Sequence, residues 1–308
     1  SYILNNFIFR RFLIFIPMLF LTSLFSYSFI QAPPGDFRPD YKSERGYVDP
    51  YIGWVWGVLT WDLGRSSKYR MPIGDLVRDR AVNTVILIGF TIIFTWAVAI
   101  PIGILSAVKQ YSLLDYIFTF ISYIGIGTPN FLLALIVMFL LLDQFGLNVT
   151  GLFSDEYIRA PWSLSRLGDM LKHIWVPVII LGTDGTARLT RLVRANLLDE
   201  LSKPYIDTAR SKGLPEWKLI LKYPVRLALN PVISTAGLEL AEVFSGSLIL
   251  ATVMNLPTLG PLLLDSLLSK DMYLASTLLL VTTSLVMIGM LISDIMLSLI
   301  DPRINIKA

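Results

Sequence analysis

Residues Ala81–Val108 read AVNTVILIGFTIIFTWAVAIPIGILSAV, 28 residues without a charge. Coiled as an α-helix, a run of ~20 apolar residues already crosses a hydrocarbon layer of ~30 Å. Two more charge-free runs flank it: Phe12–Gly35 with 24 residues and Tyr116–Leu142 with 27. In the second half the apolar stretches carry single charges. His173–Leu192 contains Asp184, Arg188 and Arg191, Leu227–Val253 contains Glu239 and Glu242, and Met272–Ile300 contains Asp294. Together these segments predict an all-α polytopic membrane protein with six transmembrane helices.

The composition agrees. Of 308 residues, 54% are apolar and only 16% charged, against the ~25% charged residues of a usual soluble domain. The mean hydropathy is +0.64. A chain with so few charges cannot cover a soluble surface. The net charge of +3 is too small to argue for nucleic acid. There is no cysteine, which excludes disulfides, thiolate nucleophiles, zinc thiolate sites and iron–sulfur clusters within the chain. His173 is the single histidine, so a histidine-rich metal site and a His-Glu-x-x-His protease are excluded too. His173 itself is read as marking a polar membrane boundary.

Arg10 and Arg11 precede the first run, as they would in a signal peptide. The run exceeds a ~7–15-residue signal core and no small-residue cleavage site follows it, so residues 1–30 are expected to be a retained transmembrane helix. Basic residues set the orientation. With the N-terminus in the cytoplasm, the inner segments 1–11, 109–114, 188–226 and 301–308 hold 14 Lys or Arg in 64 residues. The outer segments 31–80, 143–172 and 251–270 hold 12 in 100. Both termini are therefore expected in the cytoplasm. Residues 31–80 form an extracytoplasmic segment that opens Gln31-Ala32-Pro33-Pro34-Gly35, an abrupt stop for helix one. Trp54, Trp56 and Trp61 within it suit either a headgroup layer or the aromatic core of a small outer subdomain. Pro72–Asn83 reads as a short amphipathic helix running into span two. Residues 81–308 make a five-helix core.

The cytoplasmic stretch 194–224 reads RANLLDELSKPYIDTARSKGLPEWKLILKYP. Leu197, Leu201, Tyr205 and Ala209 recur every four residues, one stripe of a helix. Lys203-Pro204 suits a fresh first turn. Gly213 breaks the pattern, and Pro215 with Glu216 suits the start of a second helix, where an acid meets the positive end of the dipole. Trp217, Ile220 and Leu221 fall on one face of it, and Pro224 ends it. A helix, a glycine hinge and a helix outside the bilayer fit two readings: a linker folded back on its own helices, or a docking site.

The same stretch resembles the EAA loop of bacterial ABC-importer permeases, most closely the B-type subunit of the dipeptide/oligopeptide permease family. Asp207, Thr208 and Ala209 stand at the Glu-Ala-Ala positions and Gly213 at the glycine. Trp61-Asp62-Leu63-Gly64-Arg65-Ser66, Arg80-Ala81-Val82-Asn83-Thr84, Pro101-Ile102-Gly103, Gly127-Thr128-Pro129 and Leu299-Ile300-Asp301-Pro302-Arg303 are similar to that family in order and spacing. The resemblance implies the type I ABC importer permease fold. It implies a coupling role for Asp207, Thr208, Ala209, Gly213, Leu214, Pro215 and Trp217. The implied partners are a homologous second permease, two ATP-binding cassette ATPases and an extracytoplasmic solute-binding protein, with ATP and Mg on the ATPases and no cofactor on this chain. One stretch departs from the peptide-permease pattern: Ala251-Thr252-Val253-Met254-Asn255-Leu256-Pro257-Thr258-Leu259-Gly260 replaces Glu-Thr-Val-Phe-Ser-Trp-Pro-Gly-Leu-Gly. Its Met-Asn-Leu-Pro-Thr-Leu-Gly form resembles members that move oligosaccharides, which keeps that solute as an alternative.

A P-loop needs G-x-x-x-x-G-K-S/T, and no Gly-Lys pair occurs in the chain. Nucleotide chemistry, if it drives this protein, belongs to another subunit. Charges inside spans are costly, by ~2.5–3.5 kcal/mol on insertion scales, and usually face a bundle interior or a wet cavity. Asp184 is expected to pair with Arg188 at i,i+4. Glu239 and Glu242 share a helical face and either line a pathway or contact the second permease. Asp294 reads as a boundary residue. A proton-coupled secondary transporter is the rival class, since it too uses intramembrane carboxylates.

Overall fold

The computed structural model describes residues 2–31 and 50–300. The expectations for 32–49 and 301–308, including the Pro33-Pro34-Gly35 stop and the closing Asp301-Pro302-Arg303, lie outside the described residues. Every regular element among the described residues is helical: α1 Tyr2–Gln31, α2 Pro50–Leu59, α3 Ile73–Val108, α4 Leu113–Gly127, α5 Asn130–Phe145, α6 Leu164–His173, α7 Trp175–Leu201, α8 Pro204–Ser211, α9 Glu216–Lys222, α10 Pro224–Ser234, α11 Ala236–Val253, α12 Leu259–Leu268 and α13 Met272–Ile300.

Four helices are long and apolar enough to cross a bilayer: Phe9–Ile30 within α1, then α3, α11 and Met272–Ser298 within α13. The chain is an all-α polytopic membrane protein. The expected count of six straight spans is not what length and composition give. Tyr116–Leu142, expected as one span, is bent by 105° between α4 and α5. The cause is local. Pro129 cannot continue a helix and pushes the residue before it out of the helical region, and Thr128 is extended at φ −101°, ψ 118°. Taken together α4 and α5 make a fifth, broken span. The expected fourth span falls in α7, whose Asp184, Arg188 and Arg191 keep it out of the apolar set. The run Leu227–Val253 also divides. Pro231 offers no N–H to the carbonyl of Leu227, α10 ends at Ser234, and Thr235 turns its N–H back to Val232. Pro101, by contrast, is absorbed without ending α3. Pro72–Asn83 runs unbroken into the span, as expected, with Pro72 capping it.

The charged helix α7 is held at the centre. It runs along α3 and is flanked by α4, α5, α10 and α11. Close approach to α3 depends on Gly103, where a Cβ would fall 2.7 Å from the Cβ of Val193 and 2.9 Å from the carbonyl of Thr190. Ala99, Leu189, Val193 and Val232 close the core at that level. A larger cluster, with Leu87, Leu152, Met170, Ile180 and Met254 fully buried, fills the other half. The helix α1 lies along α13, touches α2 through Ser23 and Tyr27, and leaves Phe9, Ile16, Leu21 and Phe25 exposed, as lipid contact demands.

Candidate functional site: a charged cleft and a helix–glycine–helix edge

Two regions gather the residues singled out in the sequence. The first lies between α7 and α11. Asp184 and Arg188 pair at 3.3 Å with the expected i,i+4 spacing, and Arg188 also contacts the carboxylate of Glu242. These three side chains are 38–41% exposed, an unusual state for charges inside a membrane bundle. Glu239, one turn away, is buried at 7%. Its Oε2 accepts from the Trp96 indole at 2.6 Å, while its Oε1 has no partner. Glu239 and Glu242 thus share a helix and one cleft but not an environment. The cleft, about 150 Å³, is lined by Gly185, Arg188, Leu189, Leu192, Thr235 and Leu238 besides the two glutamates. Asp294 does more than mark a boundary: it meets Arg11 at 3.2 Å and ties α13 to α1.

The second region is the edge made by α8, the Gly213 turn and α9. Pro204 occupies the first turn of α8, as expected. Pro215 sits one position earlier than expected, capping α9 rather than opening it. Gly213 has φ +74°, and a Cβ added there would touch nothing. The constraint is therefore backbone conformation, which glycine adopts without strain. Arg210 straps the turn, reaching Glu216 at 2.7 Å and Asp207 at 3.4 Å. That hydrogen bond from Arg210 holds the Glu216 carboxyl below its usual range. Beneath the turn, Ile206, Leu219 and Ile220 pack with Ala107, Leu197, Val225 and Ala228. The expected stripe of Leu197, Leu201, Tyr205 and Ala209 joins this cluster, though Ser202 divides it between α7 and α8. Tyr205 donates to Glu200 at 2.8 Å, and burial with that bond pushes its phenol up to about 12.

One expectation fails on α9. Trp217, Ile220 and Leu221 do not share an environment: Ile220 turns inward, while Trp217 and Leu221 are 62% and 54% exposed. At 100° per residue, neighbours 220 and 221 cannot both face the core that Leu219 already occupies. Asp207, Thr208, Gly213, Pro215 and Trp217 are exposed, whereas Ala209 and Leu214 are half-buried in the cluster below.

The sequence reading missed several joints. Asn83 donates to the Pro257 carbonyl at 2.7 Å, and Thr84 accepts from the Leu259 N–H at 3.0 Å. The signal was present, since both partners fall in quoted motifs, but nothing in one sequence pairs them. Nearby, Ser66 donates to Asp271 at 2.5 Å and Tyr69 to Asp265 at 2.5 Å, with Lys68 also on Asp265. The Lys68 and Tyr69 bonds hold Asp265 below the usual carboxylate range, and burial with the Asp265 bond pushes Tyr69 up to about 12. Asp115 at the start of α4 is bidentate with Arg194 of α7, at 2.7 and 2.8 Å. Arg166 is bidentate with Asp79, and its guanidinium lies 4.5 Å from the ring centres of both Phe153 and Trp162. Trp54 is buried beside Tyr27 and Tyr51, whereas Trp56 and Trp61 are about half exposed. Among the described residues no cluster of three or more carboxylates or histidines could hold a metal.

Residues 99–306 match the family model described as binding-protein-dependent transport system inner membrane component. Three relatives match nearly end to end. The chain is 33% identical to the oligopeptide transport system permease protein AppB of Bacillus subtilis, over 97% of this chain and 99% of the relative. It is 29% identical to the dipeptide transport system permease protein DppB of Escherichia coli K12, over 98% and 99%. It is 26% identical to DppB of Haemophilus influenzae, over 97% and 99%.

Proposed function

The chain belongs to the family of binding-protein-dependent transport system inner membrane components, and from that premise we propose that it is one wall of the peptide pathway of an ATP-driven importer. It is a multi-pass, non-catalytic membrane subunit. The observation that carries the reading is the exposed triad Asp184, Arg188 and Glu242 on α7 and α11. Charges exposed to that degree cannot face hydrocarbon, so the cleft that Arg188 and Glu242 line faces water or a polar partner. Six membrane crossings in the type I ABC importer arrangement follow if α4–α5 is one broken span and α7 is a crossing shielded by its neighbours. Both termini then lie in the cytoplasm.

On this reading a homologous second permease forms the opposite wall of the pathway and leaves the cleft open to water. Two ATP-binding cassette ATPases supply ATP and Mg, because this chain has no P-loop. Their grooves receive the α8–α9 edge through Asp207, Thr208, Gly213, Pro215 and Trp217, with Ala209 and Leu214 anchoring it from below. An extracytoplasmic binding protein delivers the solute. Peptides are favoured over oligosaccharides because Met254, Leu256, Thr258 and Leu259, in the stretch that suggested sugars, are buried. That stretch serves a joint with Asn83 and Thr84 and offers little to a passing solute. The proton-coupled alternative is less favoured, since the family that residues 99–306 match is one of binding-protein-dependent transport.

The test is reconstitution of this chain with its second permease, ATPases and binding protein in proteoliposomes. ATP-dependent uptake of a dipeptide, absent when the ATPases are left out, is the expected result. ATP-independent uptake driven by a pH gradient through this chain alone would overturn the reading.

A further inference from the structure

The cations around the α8–α9 edge divide into two sets. Lys203 and Arg210 are engaged by carboxylates, the first by Glu200 and the second by Asp207 and Glu216. Lys218, Lys222 and Arg226 are exposed and form no ion pair with any described residue. They recur every four residues. Although α9 ends at Lys222 and α10 begins at Pro224, the hydrogen-bond ladder crosses the junction. The Tyr223 N–H donates to the Leu219 carbonyl at 3.1 Å, and the Leu227 N–H to the Tyr223 carbonyl at 3.3 Å. The three cations therefore make one stripe. Lys218 lies 5.3 Å from the ring centre of Trp217, and Lys222 lies 5.4 Å from that of Tyr223.

Packing fixes the depth of the stripe. Val225 and Ala228 pack with Ala107, beside the end of the long span α3 at Val108. Further along α10, Val232 packs with Ala99. The helix α10 thus runs back beside the span, and Lys222 and Arg226 stand where the span leaves hydrocarbon. Leu221, Tyr223 and Leu227 are exposed at the same place. Cations interleaved with exposed apolar and tyrosine side chains at a membrane boundary fit phosphate above and acyl chain below. An acidic protein surface would match the cations but leave Leu227, on the membrane side, without a partner. A zwitterionic headgroup cancels its own phosphate, whereas an anionic one does not, and each Lys or Arg near an anionic surface is worth about fivefold in affinity. We propose that Lys218, Lys222 and Arg226, with Leu221, Tyr223 and Leu227, seat anionic phospholipid of the inner leaflet and so anchor the α9–α10 junction to the membrane surface. The seat rests on the reading of the α8–α9 edge as cytoplasmic.

The test uses the assembled complex of both permeases and the ATPases in neutral detergent, with bound lipid counted by native mass spectrometry. The probes are dioleoylphosphatidylglycerol and dioleoylphosphatidylcholine, which share their acyl chains and differ in net charge. The parent should bind the first about tenfold more tightly or better. The triple change Lys218→Gln, Lys222→Gln and Arg226→Gln should reduce that preference to about twofold, whereas Lys212→Gln, exposed but off the stripe, should keep it. If the triple variant does not assemble, Lys222→Gln alone should still lower the preference about fivefold. A parent without preference, or a preference that survives these changes, overturns the seat. Displacement of the phosphatidylglycerol by inorganic phosphate, but not by chloride at equal ionic strength, would mark a free-anion site and overturn it too. Loss of the ATPases from the triple variant on size exclusion, with lipid preference unchanged, would make the stripe a protein-docking surface instead. Maleimide labelling of a cysteine at position 212 from outside would overturn the cytoplasmic reading of the edge. Labelling only after lysis, with no phosphatidylglycerol preference, overturns the seat alone.

Discussion

Arg188 of α7 and Glu242 of α11 are in contact across the cleft, and both remain about two-fifths exposed. The strength of that contact reports what fills the cleft. An ion pair facing water is worth about 0–1 kcal/mol, whereas breaking a sealed pair costs about 3–5 kcal/mol. A double-mutant cycle with Arg188→Gln and Glu242→Gln, read by thermal unfolding of the assembled complex, should give a coupling below about 1 kcal/mol. A coupling of several kcal/mol would mean that the second permease seals the pair and that the cleft is an interface.

The orientation is testable because the chain has no cysteine of its own. Ser67 and Lys212 are both exposed, one in the turn before α3 and the other in the turn after α8. With cysteine placed singly at each, an impermeant maleimide should label position 67 in intact spheroplasts and position 212 only after lysis. The reverse order would invert the topology.

At the joint between α3 and the start of α12, Asn83→Ala leaves the Pro257 carbonyl without its donor, and Thr84→Val leaves the Leu259 N–H without its acceptor. An unpaired buried group costs about 1–3 kcal/mol, so each change should lower the unfolding midpoint of the detergent-solubilised chain by several degrees. Neither should alter labelling at position 212. An unchanged midpoint for both would show that water replaces the lost partners without cost.

The sequence carried the helices but not their joints. Charge-free runs revealed α1 and the membrane part of α3 because their side chains face lipid or apolar neighbours, and hydropathy reads that directly. It showed α7 only as an apolar run interrupted by charges, whereas the central place of α7 comes from Gly103 admitting Val193 and from packing against α3, α4, α5, α10 and α11. It also read the stretch holding α4 and α5 as straight, although Thr128-Pro129 was in view, because a proline inside an apolar run is sometimes absorbed, as Pro101 is. The Asp184–Arg188 pair was legible from local spacing. The Arg188–Glu242, Asp115–Arg194 and Asn83–Pro257 pairs were not, since they join residues 54, 79 and 174 positions apart.

The turn before α3 should be indifferent to pH over a wide window. Asp265 is held below its ordinary range, chiefly by Lys68 and then by Tyr69, so its contribution is present above the unfolded value near ~3.9 and fades as pH falls through the depressed one. Tyr69 is raised to about 12 by burial and then by Asp265, so its contribution is present below the unfolded value near ~10 and is lost as pH rises through about 12. Maleimide reactivity at position 67, corrected for thiolate fraction, should therefore be flat from about pH 5 to 9. In Asp265→Asn it should be raised throughout that window. A parent profile that changes near neutrality would point to a different titrating group at this turn.

The α8–α9 edge yields the sharpest test, because one backbone angle sets its shape. Gly213 sits at φ +74° with open space around its α-carbon, so a substitution there meets strain and not a clash. Asparagine tolerates that region, whereas a β-branched residue is a severe outlier in it. Gly213→Val should therefore unwind the turn, loosen the Arg210–Glu216 strap and shift Trp217 relative to Asp207, while the buried Ile206 and Leu219 keep the rest of the chain folded. If this edge docks into the ATPases, movement there and movement at the membrane helices are two states coupled through one contact. Displacing the contact should lower ATP-driven dipeptide uptake by about tenfold or more, as a coupling energy above ~1.4 kcal/mol would. Gly213→Asn should stay within about twofold of the parent, because the left-handed angle is kept. Asp207→Glu should be nearly silent, since the charge stays on an 82% exposed side chain. The comparison of Val with Asn matters more than either alone: both add a side chain of similar size into empty space, and only the backbone preference separates them. Equal loss in the two would assign the effect to bulk at the docking surface. Equal uptake, at equal assembly and with solute-stimulated ATP hydrolysis intact, would reduce residues 194–224 to a linker folded on its own helices.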